Sequence, residues 1–305
     1  MAVAASTLSL SAHSQQTCFP SKFGPQDQIG NANYITPKKT REASKLIKTG
    51  KAYRLGIETN KNTPIFAPRT FELKVVQTGQ ENGPIGPGKL THVDDIINGS
   101  VGVGSQLDGF GHVGIDNVHY NCNKAADFVR QDGLTRLGIE NLPPIATRAV
   151  LLDMAAYFGQ NPVKEGTAFN RREIEGAMKR QGIKSIEKGD VVLFYTGWAK
   201  LIGKDDARYK AGEPGLGVDG AHYLASRGIA MVGSDSWAIE VLPFEPRSAT
   251  FEVHQILLAM NGIYILENMD TEEMVKDRAW ESFFTLGASR ITGAVQAIIN
   301  PIAIK

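Results

Sequence analysis

The chain has 305 residues, enough to bury a sizeable core, and its 42% apolar and 21% charged residues are typical of a globular protein. The 33 Lys and Arg residues nearly balance the 32 Asp and Glu residues, and no basic run stands out, which argues against a nucleic-acid partner. No apolar run reaches the ~18 residues of a membrane span, so no membrane partner is expected.

The N-terminal segment, residues 1–22, is rich in Ala and Ser and carries no Lys or Arg before Lys22. A secretory signal would have a positive start and a longer apolar centre. We therefore interpret residues 1–22 as a flexible tail, with a clipped signal remnant as the alternative. The first interpretation favours a cytoplasmic protein, and the second a secreted or periplasmic one. Cys18 and Cys122 are too few for a disulfide framework or a cysteine zinc site.

Short apolar runs alternate with helix-like stretches along residues 23–305. Runs predicted as buried strands cover residues 71–76, 149–154, 190–195, 229–233 and 264–266. Predicted helices cover residues 170–180, 220–228 and 271–284, and the first begins with Asn170 and Glu173 at the spacing of a capping box. Because no Pro/Gly/Ser-rich linker divides this region, the sequence predicts a single compact α/β domain over residues 23–305.

The stretch "GSQLDGFGHVGID", residues 104–116, places three polar side chains among glycines. Residues i and i+2 of a strand share a face, so Gln106 and Asp108 are expected to point the same way. Gly109 and Gly111 allow the backbone to curl and return His112 toward the carboxylate. A carboxylate and an imidazole directed at one point form a metal site or an acid–base pair. Taken alone, the stretch is equally consistent with a polar turn and an ordinary histidine.

A second polar pair lies far along the chain. His254 begins an apolar, helix-like run, and the strand that follows carries Glu267 at its carboxyl end. Ligands of α/β proteins bind at the carboxyl ends of the strands. Taken alone, a charged residue at a strand end is more often solvated.

Two common enzyme signatures are missing or lack their context. There is no Gly-x-Ser-x-Gly segment to supply a serine nucleophile. Residues 215–220, "GLGVDG", match Gly-x-Gly-x-x-Gly, but a dinucleotide-binding segment must directly follow a strand, and this one follows "KAGEP". We interpret it as a polar loop.

The two polar clusters together resemble the metal-dependent cyclase family of hydrolases, which includes kynurenine formamidase and isatin hydrolase. The family core is His-x3-His-x-Asp-x3-His, with a His and Glu pair much later in the chain. Asp108 and His112 match the Asp and the last His, and His254 and Glu267 match the distal pair. Other segments match in order: "FGPQDQIGNANYITP", "AVLLDMAAYFG", "GDVVLFYTGWAK", "GIAMVGSDSWAIEVLP" and "RITGAVQAIINPIAI". The resemblance covers residue 23 to the C-terminus.

This chain departs from the family core at three positions. Gly102 and Gln106 stand where the first two histidines are expected, and Phe110 replaces the usual proline. The resemblance therefore implies one divalent ion, Zn²⁺ or Mn²⁺, rather than two. The implied ligands are Asp108, His254, Glu267 and, through a neutral amide oxygen, Gln106. The implied fold is an α/β domain with a mixed β-sheet or barrel-like core and flanking helices, assembled as a dimer or tetramer.

The resemblance also implies a reaction. We expect hydrolysis of a carbonyl C–N or C–O bond in a small cyclic or aromatic substrate, such as a lactone, a lactam or an aryl formamide. The metal would polarise the carbonyl and activate water, and His112, if it is not itself a ligand, would act as the catalytic base. Phe110, Tyr120 and Trp237 are expected to line the substrate pocket. The alternative is a non-catalytic metal-binding or small-molecule-binding protein with this fold, which the loss of two core histidines supports.

Overall fold

The computed structural model describes residues 18–305, and predictions for residues 1–17 lie outside this part of the chain. The strands are β1 (Ala52–Arg54), β2 (Phe71–Val76), β3 (Asp94–Gly99), β4 (Gln106–Asp108), β5 (Val118–His119), β6 (Asn123–Lys124), β7 (Val129–Arg130), β8 (Gly133–Leu134), β9 (Ile145–Asp153), β10 (Ala168–Phe169), β11 (Val191–Tyr195), β12 (Gly215–Leu216), β13 (Met231–Ser234), β14 (Tyr264–Glu267), β15 (Glu281–Leu286), β16 (Gln296–Ile298) and β17 (Ile302–Ile304). The α-helices are α1 (Pro37–Ser44), α2 (Ala125–Phe128), α3 (Met154–Phe158), α4 (Arg171–Gln181), α5 (Asp206–Ala211), α6 (Val218–Arg227), α7 (Glu252–His254) and α8 (Glu272–Lys276). The 3-10 helices are Gly30–Tyr34, Tyr120–Cys122, Ile139–Asn141 and Trp198–Leu201, and a π-helix covers Gln255–Met260.

Nine strands form one mixed sheet in the order β1-β17-β15-β9-β11-β13-β14-β4-β16. Its centre, β9-β11-β13-β14, is parallel, and the strands on either side pair antiparallel. The central strands are almost entirely buried, as expected for parallel strands covered on both faces. The sheet curls into a half-barrel with flanking helices, which confirms the predicted α/β class and single mixed-sheet domain.

Two helices were predicted correctly from the residues at their ends. Asn170 and Glu173 form the predicted capping box at the start of α4, and α6 ends at Gly228 in the left-handed conformation. The helix predicted at residues 271–284 is wrong, because helix α8 is short and strand β15 follows it. In β15 every second side chain is buried, a period of two that a helix cannot supply.

Strands β2 and β3 form a separate two-stranded ribbon outside the main sheet. The strand predicted at residues 71–76 is confirmed, but the prediction that it is buried is wrong. Leu73 and Val75 are 54% and 63% exposed, and Ile97, opposite Leu73, is 65% exposed. Because directly opposed residues of an antiparallel pair share a face, these three side chains form one exposed apolar surface.

The N-terminal part of the described chain is attached to the domain. A disulfide joins Cys18 to Cys122, a pairing that the sequence analysis did not predict. The backbone N–H of Ser21 donates to Asn121 Oδ1 at 2.9 Å, so residues 18–22 of the predicted tail contact the domain. Within residues 18–305, every helix is too short or too polar to cross a membrane.

Candidate metal centre

Three buried side chains from distant parts of the chain converge at β4 and β14. Asp108 lies on β4, Glu267 ends the adjacent strand β14, and His254 ends α7. One ligand atom of each lies within 4.8 Å of the others, and each residue is at most 4% exposed. The antiparallel pairing brings the two carboxylates to one point, because Gln106 pairs with Glu267 and Asp108 lies two residues further on the same face.

The two oxygens of Asp108 have different surroundings. Oδ1 accepts hydrogen bonds from Gln296 Nε2 at 2.6 Å and Gln106 Nε2 at 3.2 Å. Oδ2 is buried and has no hydrogen-bond partner among residues 18–305. Buried polar atoms almost always have a partner, so an unsatisfied carboxylate oxygen indicates a site for a cation.

His254 is oriented by a carboxylate on its far side. Its Nδ1 hydrogen-bonds with Glu240 Oε1, and its Nε2 lies 3.6 Å from Glu267 Oε1 and 3.9 Å from Asp108 Oδ2. A carboxylate acceptor keeps a proton on Nδ1, so Nε2 faces the other two ligands and is the nitrogen that would give up its proton to bind a metal. Glu240 was not among the predicted site residues, although a carboxylate within the apolar run "WAIEVLP" is a usable signal.

The pKa values of two of the converging side chains, Glu267 and His254, are raised above their usual values. Burial, together with the nearby Asp108 charge, raises the pKa of Glu267 to about 8. Burial lowers the pKa of His254, but hydrogen bonds with Glu240 and Glu267 outweigh it and raise the pKa to about 10. Without a metal ion, His254 and Glu267 therefore favour their protonated forms at neutral pH. A divalent ion would replace those protons, and two carboxylates with one imidazole suit such an ion.

Gln106 has a different role from the predicted oxygen ligand. Its Nε2 donates to Glu267 Oε2 at 2.6 Å as well as to Asp108, so the amide links the two carboxylates. Gln296, which the sequence analysis missed, supplies the second amide from β16. A Cβ placed on Gly102 would lie 2.5 Å from Gln296 Oε1, so Gln296 fills the space beside Gly102. Gln106 thus occupies one of the two positions at which the resemblance implies a histidine, and Gln296 fills the space beside the other.

His112 follows β4 in a tight turn. Its backbone N–H donates to Gly109 O at 3.0 Å, and its Nε2 lies 3.8 Å from Asp108 Oδ2. The side chain is 26% exposed and lines the cavity beside the three converging residues. Burial is the main reason that its pKa lies below the usual value. A neutral imidazole at the cavity wall can accept a proton.

A cavity of about 610 Å³ opens onto His254 and Glu267. Trp237 lines it, as predicted, and its ring lies 4.2 Å from that of Phe66. Other side chains in the wall include Pro68, Arg69, His112 and Phe251. The volume is typical of a site for a small organic molecule.

Two predicted pocket residues are placed elsewhere. Phe110 is 1% exposed and packs in the core, with its ring centre 4.2 Å from that of Tyr264. The Tyr120 hydroxyl hydrogen-bonds with Asp27 Oδ2 at 2.6 Å and with Ser21 Oγ at 2.8 Å, and both residues lie near the start of the described chain. The prediction that Phe110 and Tyr120 line the pocket is therefore corrected, because both side chains are used to hold the fold together.

Comparison with known families gives one match over most of the chain. A family model described as "putative cyclase" matches residues 53–241. The matched stretch includes Asp108, His112 and Glu240, whereas His254 and Glu267 lie beyond it. No curated protein sequence matches the chain.

Solved structures extend the match beyond residue 241. A structure described as a novel cyclase is 31% identical, covers 93% of this chain and 98% of its own, and has a TM-score of 0.84. An isatin hydrolase bound to the product analogue thioisatinate is 18% identical, covers 83% and 91% of the two chains, and has a TM-score of 0.62. A potential metal-dependent hydrolase with cyclase activity is 18% identical, covers 83% and 98%, and has a TM-score of 0.53. The last two show similarity of fold.

Proposed function

Because the chain belongs to the cyclase family, we propose that it is a metal-dependent hydrolase that cleaves a carbonyl C–N or C–O bond in a small molecule. The observation that carries this proposal is the unsatisfied Asp108 Oδ2, which faces His254 Nε2 and lies beside Glu267. We propose Zn²⁺ or Mn²⁺ as the ion, one per chain, since both accept two carboxylates and an imidazole.

The chain's own residues would divide the chemistry as follows. Asp108, His254 and Glu267 would hold the ion, which when bound would polarise the substrate carbonyl and make water a better nucleophile at neutral pH. His112 would accept the proton from the attacking water and pass it to the departing nitrogen or oxygen. Glu240 would keep His254 in the tautomer that presents Nε2.

The cavity wall favours a cyclic or aromatic substrate. Phe66 and Trp237 form a paired aromatic wall, and the Phe251 ring lies 5.3 Å from the His254 ring. Flat rings pack well against such surfaces. Lactones, lactams and aryl formamides combine a flat, largely apolar body with the carbonyl that the reaction needs.

The test combines elemental analysis with turnover. Purified protein should contain about one zinc or manganese per chain and hydrolyse at least one member of a panel of lactones, formamides and isatin-like lactams. Asp108→Asn should lose both metal and turnover, whereas the control Asp132→Asn, at an exposed turn, should keep both. Protein that is free of metal and indifferent to chelators would rule the proposal out.

The replacement of two family histidines by Gly102 and Gln106 favours a second candidate, a non-catalytic binding protein. His112→Asn separates the two. The hydrolase proposal expects this variant to keep its metal and lose turnover, because Asp108, His254 and Glu267 would still hold the ion while the proton acceptor is lost. A binding protein would show no turnover before the substitution is made.

We also propose a homo-oligomer, a dimer or tetramer, formed through the apolar face of the β2–β3 ribbon. An isolated two-stranded ribbon is marginally stable, and the same face of a second copy would cover Leu73, Val75 and Ile97. Light scattering should show a lower mass for Leu73→Lys with Ile97→Lys than for Lys74→Glu on the opposite face. Equal masses for the two variants would contradict this interface.

We propose an oxidising compartment for this protein. The Cys18–Cys122 disulfide supports an oxidising location, secreted or periplasmic, over the cytoplasmic one that the sequence first favoured. Protein taken from its native source under denaturing conditions without reductant should show no free thiols. Two reactive thiols per chain would favour the cytoplasm.

A further inference from the structure

One charged side chain in the cavity wall has no role in the proposed chemistry. Arg69 lies between β1 and β2, and its Nη1 donates to Gly102 O at 2.9 Å. It lines the cavity of about 610 Å³ that opens onto His254 and Glu267, called the main cavity below. It also lines a smaller cavity beside Gln106 and Glu267. Arg69 is the one Lys or Arg among the residues that line the main cavity.

The charge of Arg69 is not neutralised by the protein. In the described part of the chain, no Asp or Glu carboxylate lies within 4.0 Å of its guanidinium. The hydrogen bond to Gly102 O uses one of its five N–H donors and fixes the side chain against the wall. Burial is the largest influence on the pKa values of Glu267 and His112, and the positive charge of Arg69 also lowers both. The positive charge of Arg69 therefore acts on both the metal centre and His112.

The surroundings of Arg69 define the group that it would bind. Its guanidinium can form paired hydrogen bonds with a carboxylate, and a single arginine suits a monoanion better than a doubly charged phosphate. Phe66 lies in the same wall and packs against Trp237, so a ring held there would share the cavity with Arg69.

We propose that Arg69 is a specificity-determining residue that binds a carboxylate on the substrate. This inference rests on the proposed hydrolase function and narrows its substrate class to aromatic or cyclic carbonyl compounds that carry a free carboxylate. Water adds across the C–N or C–O bond, the hydroxyl joins the carbonyl carbon, and a proton goes to the leaving nitrogen or oxygen. The carboxylate bound by Arg69 is unchanged by the reaction.

Matched probes test this assignment. The pair 2-formamidobenzoate and formanilide differs in one carboxylate, as does a carboxylated phthalide compared with phthalide itself. The metal-loaded protein should prefer the charged member of each pair by about 10- to 100-fold in kcat/KM, the worth of a hydrogen bond to a charged group. Arg69→Gln lacks the charge, so the preference for the charged member of each pair should be lost, whatever the substitution does to turnover of the neutral member. The control Arg41→Ala, an exposed arginine on α1, should keep the preference.

Calorimetric dissociation constants for the same probes distinguish failure of this inference from failure of the hydrolase proposal. If metal-loaded protein binds the charged probes more tightly and Arg69→Gln abolishes this difference, the inference holds whether or not hydrolysis occurs. If hydrolysis occurs but both members of a pair bind equally, the hydrolase stands and the role of Arg69 is overturned. Equal weakening of both members by Arg69→Gln would also overturn it, because that result indicates a structural role at Gly102.

Discussion

Gln296 provides a direct test of how the metal centre is held. Its Nε2 lies 2.6 Å from Asp108 Oδ1, closer than the Gln106 amide at 3.2 Å, and the side chain is buried. Gln296→Met keeps a side chain of similar length in the space beside Gly102 but removes the donor. A buried hydrogen bond to a charged group contributes about 1.5–3 kcal/mol, which corresponds to roughly 10- to 150-fold in affinity. Replacing a residue that orients a metal ligand lowers metal affinity by about 10- to 100-fold, so we expect Gln296→Met to lower it by a factor in that range.

The assay is competition for Zn²⁺ or Mn²⁺ against a chromophoric chelator, which reads metal affinity without requiring turnover. Gln26→Met, at an exposed position, is the matched control and should bind metal like the original protein. Thermal unfolding of the metal-free Gln296→Met variant establishes that it folds. If a folded Gln296→Met variant binds metal within about twofold of the original protein, Gln296 does not hold Asp108 and the reasoning is refuted.

Three further predictions concern the metal centre and the Cys18–Cys122 disulfide. The metal-free pKa values of Glu267 and His254, about 8 and about 10, lie above neutral pH, so metal binding must release protons and affinity must rise with pH. Calorimetry at pH 7 in buffers of different ionisation enthalpy should detect at least one proton released, and zero release would contradict the assignment. Glu240→Gln should weaken metal binding by about 10- to 100-fold with little change in thermal stability, and a large loss of stability would instead assign Glu240 to the fold. Reducing the Cys18–Cys122 disulfide, which spans 104 residues, should lower the free energy of unfolding by about 2–4 kcal/mol in chemical denaturation, and unchanged unfolding would show that the bond contributes nothing.

Features of the fold that depend on neighbouring residues could be predicted from the sequence. The capping box at Asn170 and Glu173 is such a feature, because its partners are three residues apart. The parallel strands β9, β11, β13 and β14 were also predictable, since continuous apolar runs match strands buried on both faces. Residues 271–284 were not, because a short helix and a strand together imitate one amphipathic pattern.

Site residues that are close in sequence could likewise be predicted, whereas those that meet through folding could not. Asp108 and His112 could be related to each other through strand periodicity and two glycines, since they are four residues apart. His254 and Glu267 could be related to them only through family resemblance. Glu240 and Gln296 escaped prediction because each meets its partner through packing of distant segments, 14 residues away for His254 and 188 residues away for Asp108.

The residue types at the site, the α/β class and the absence of two family histidines can all be read from the amino-acid sequence. How those residues are used depends on the packing of the folded chain. It turned the amide nitrogen of Gln106 toward the carboxylates, placed Phe110 in the core and left Arg69 without an acidic partner in the cavity wall. The physical reason is that hydrogen-bond direction and burial depend on atoms brought together from distant parts of the chain, which no local pattern specifies.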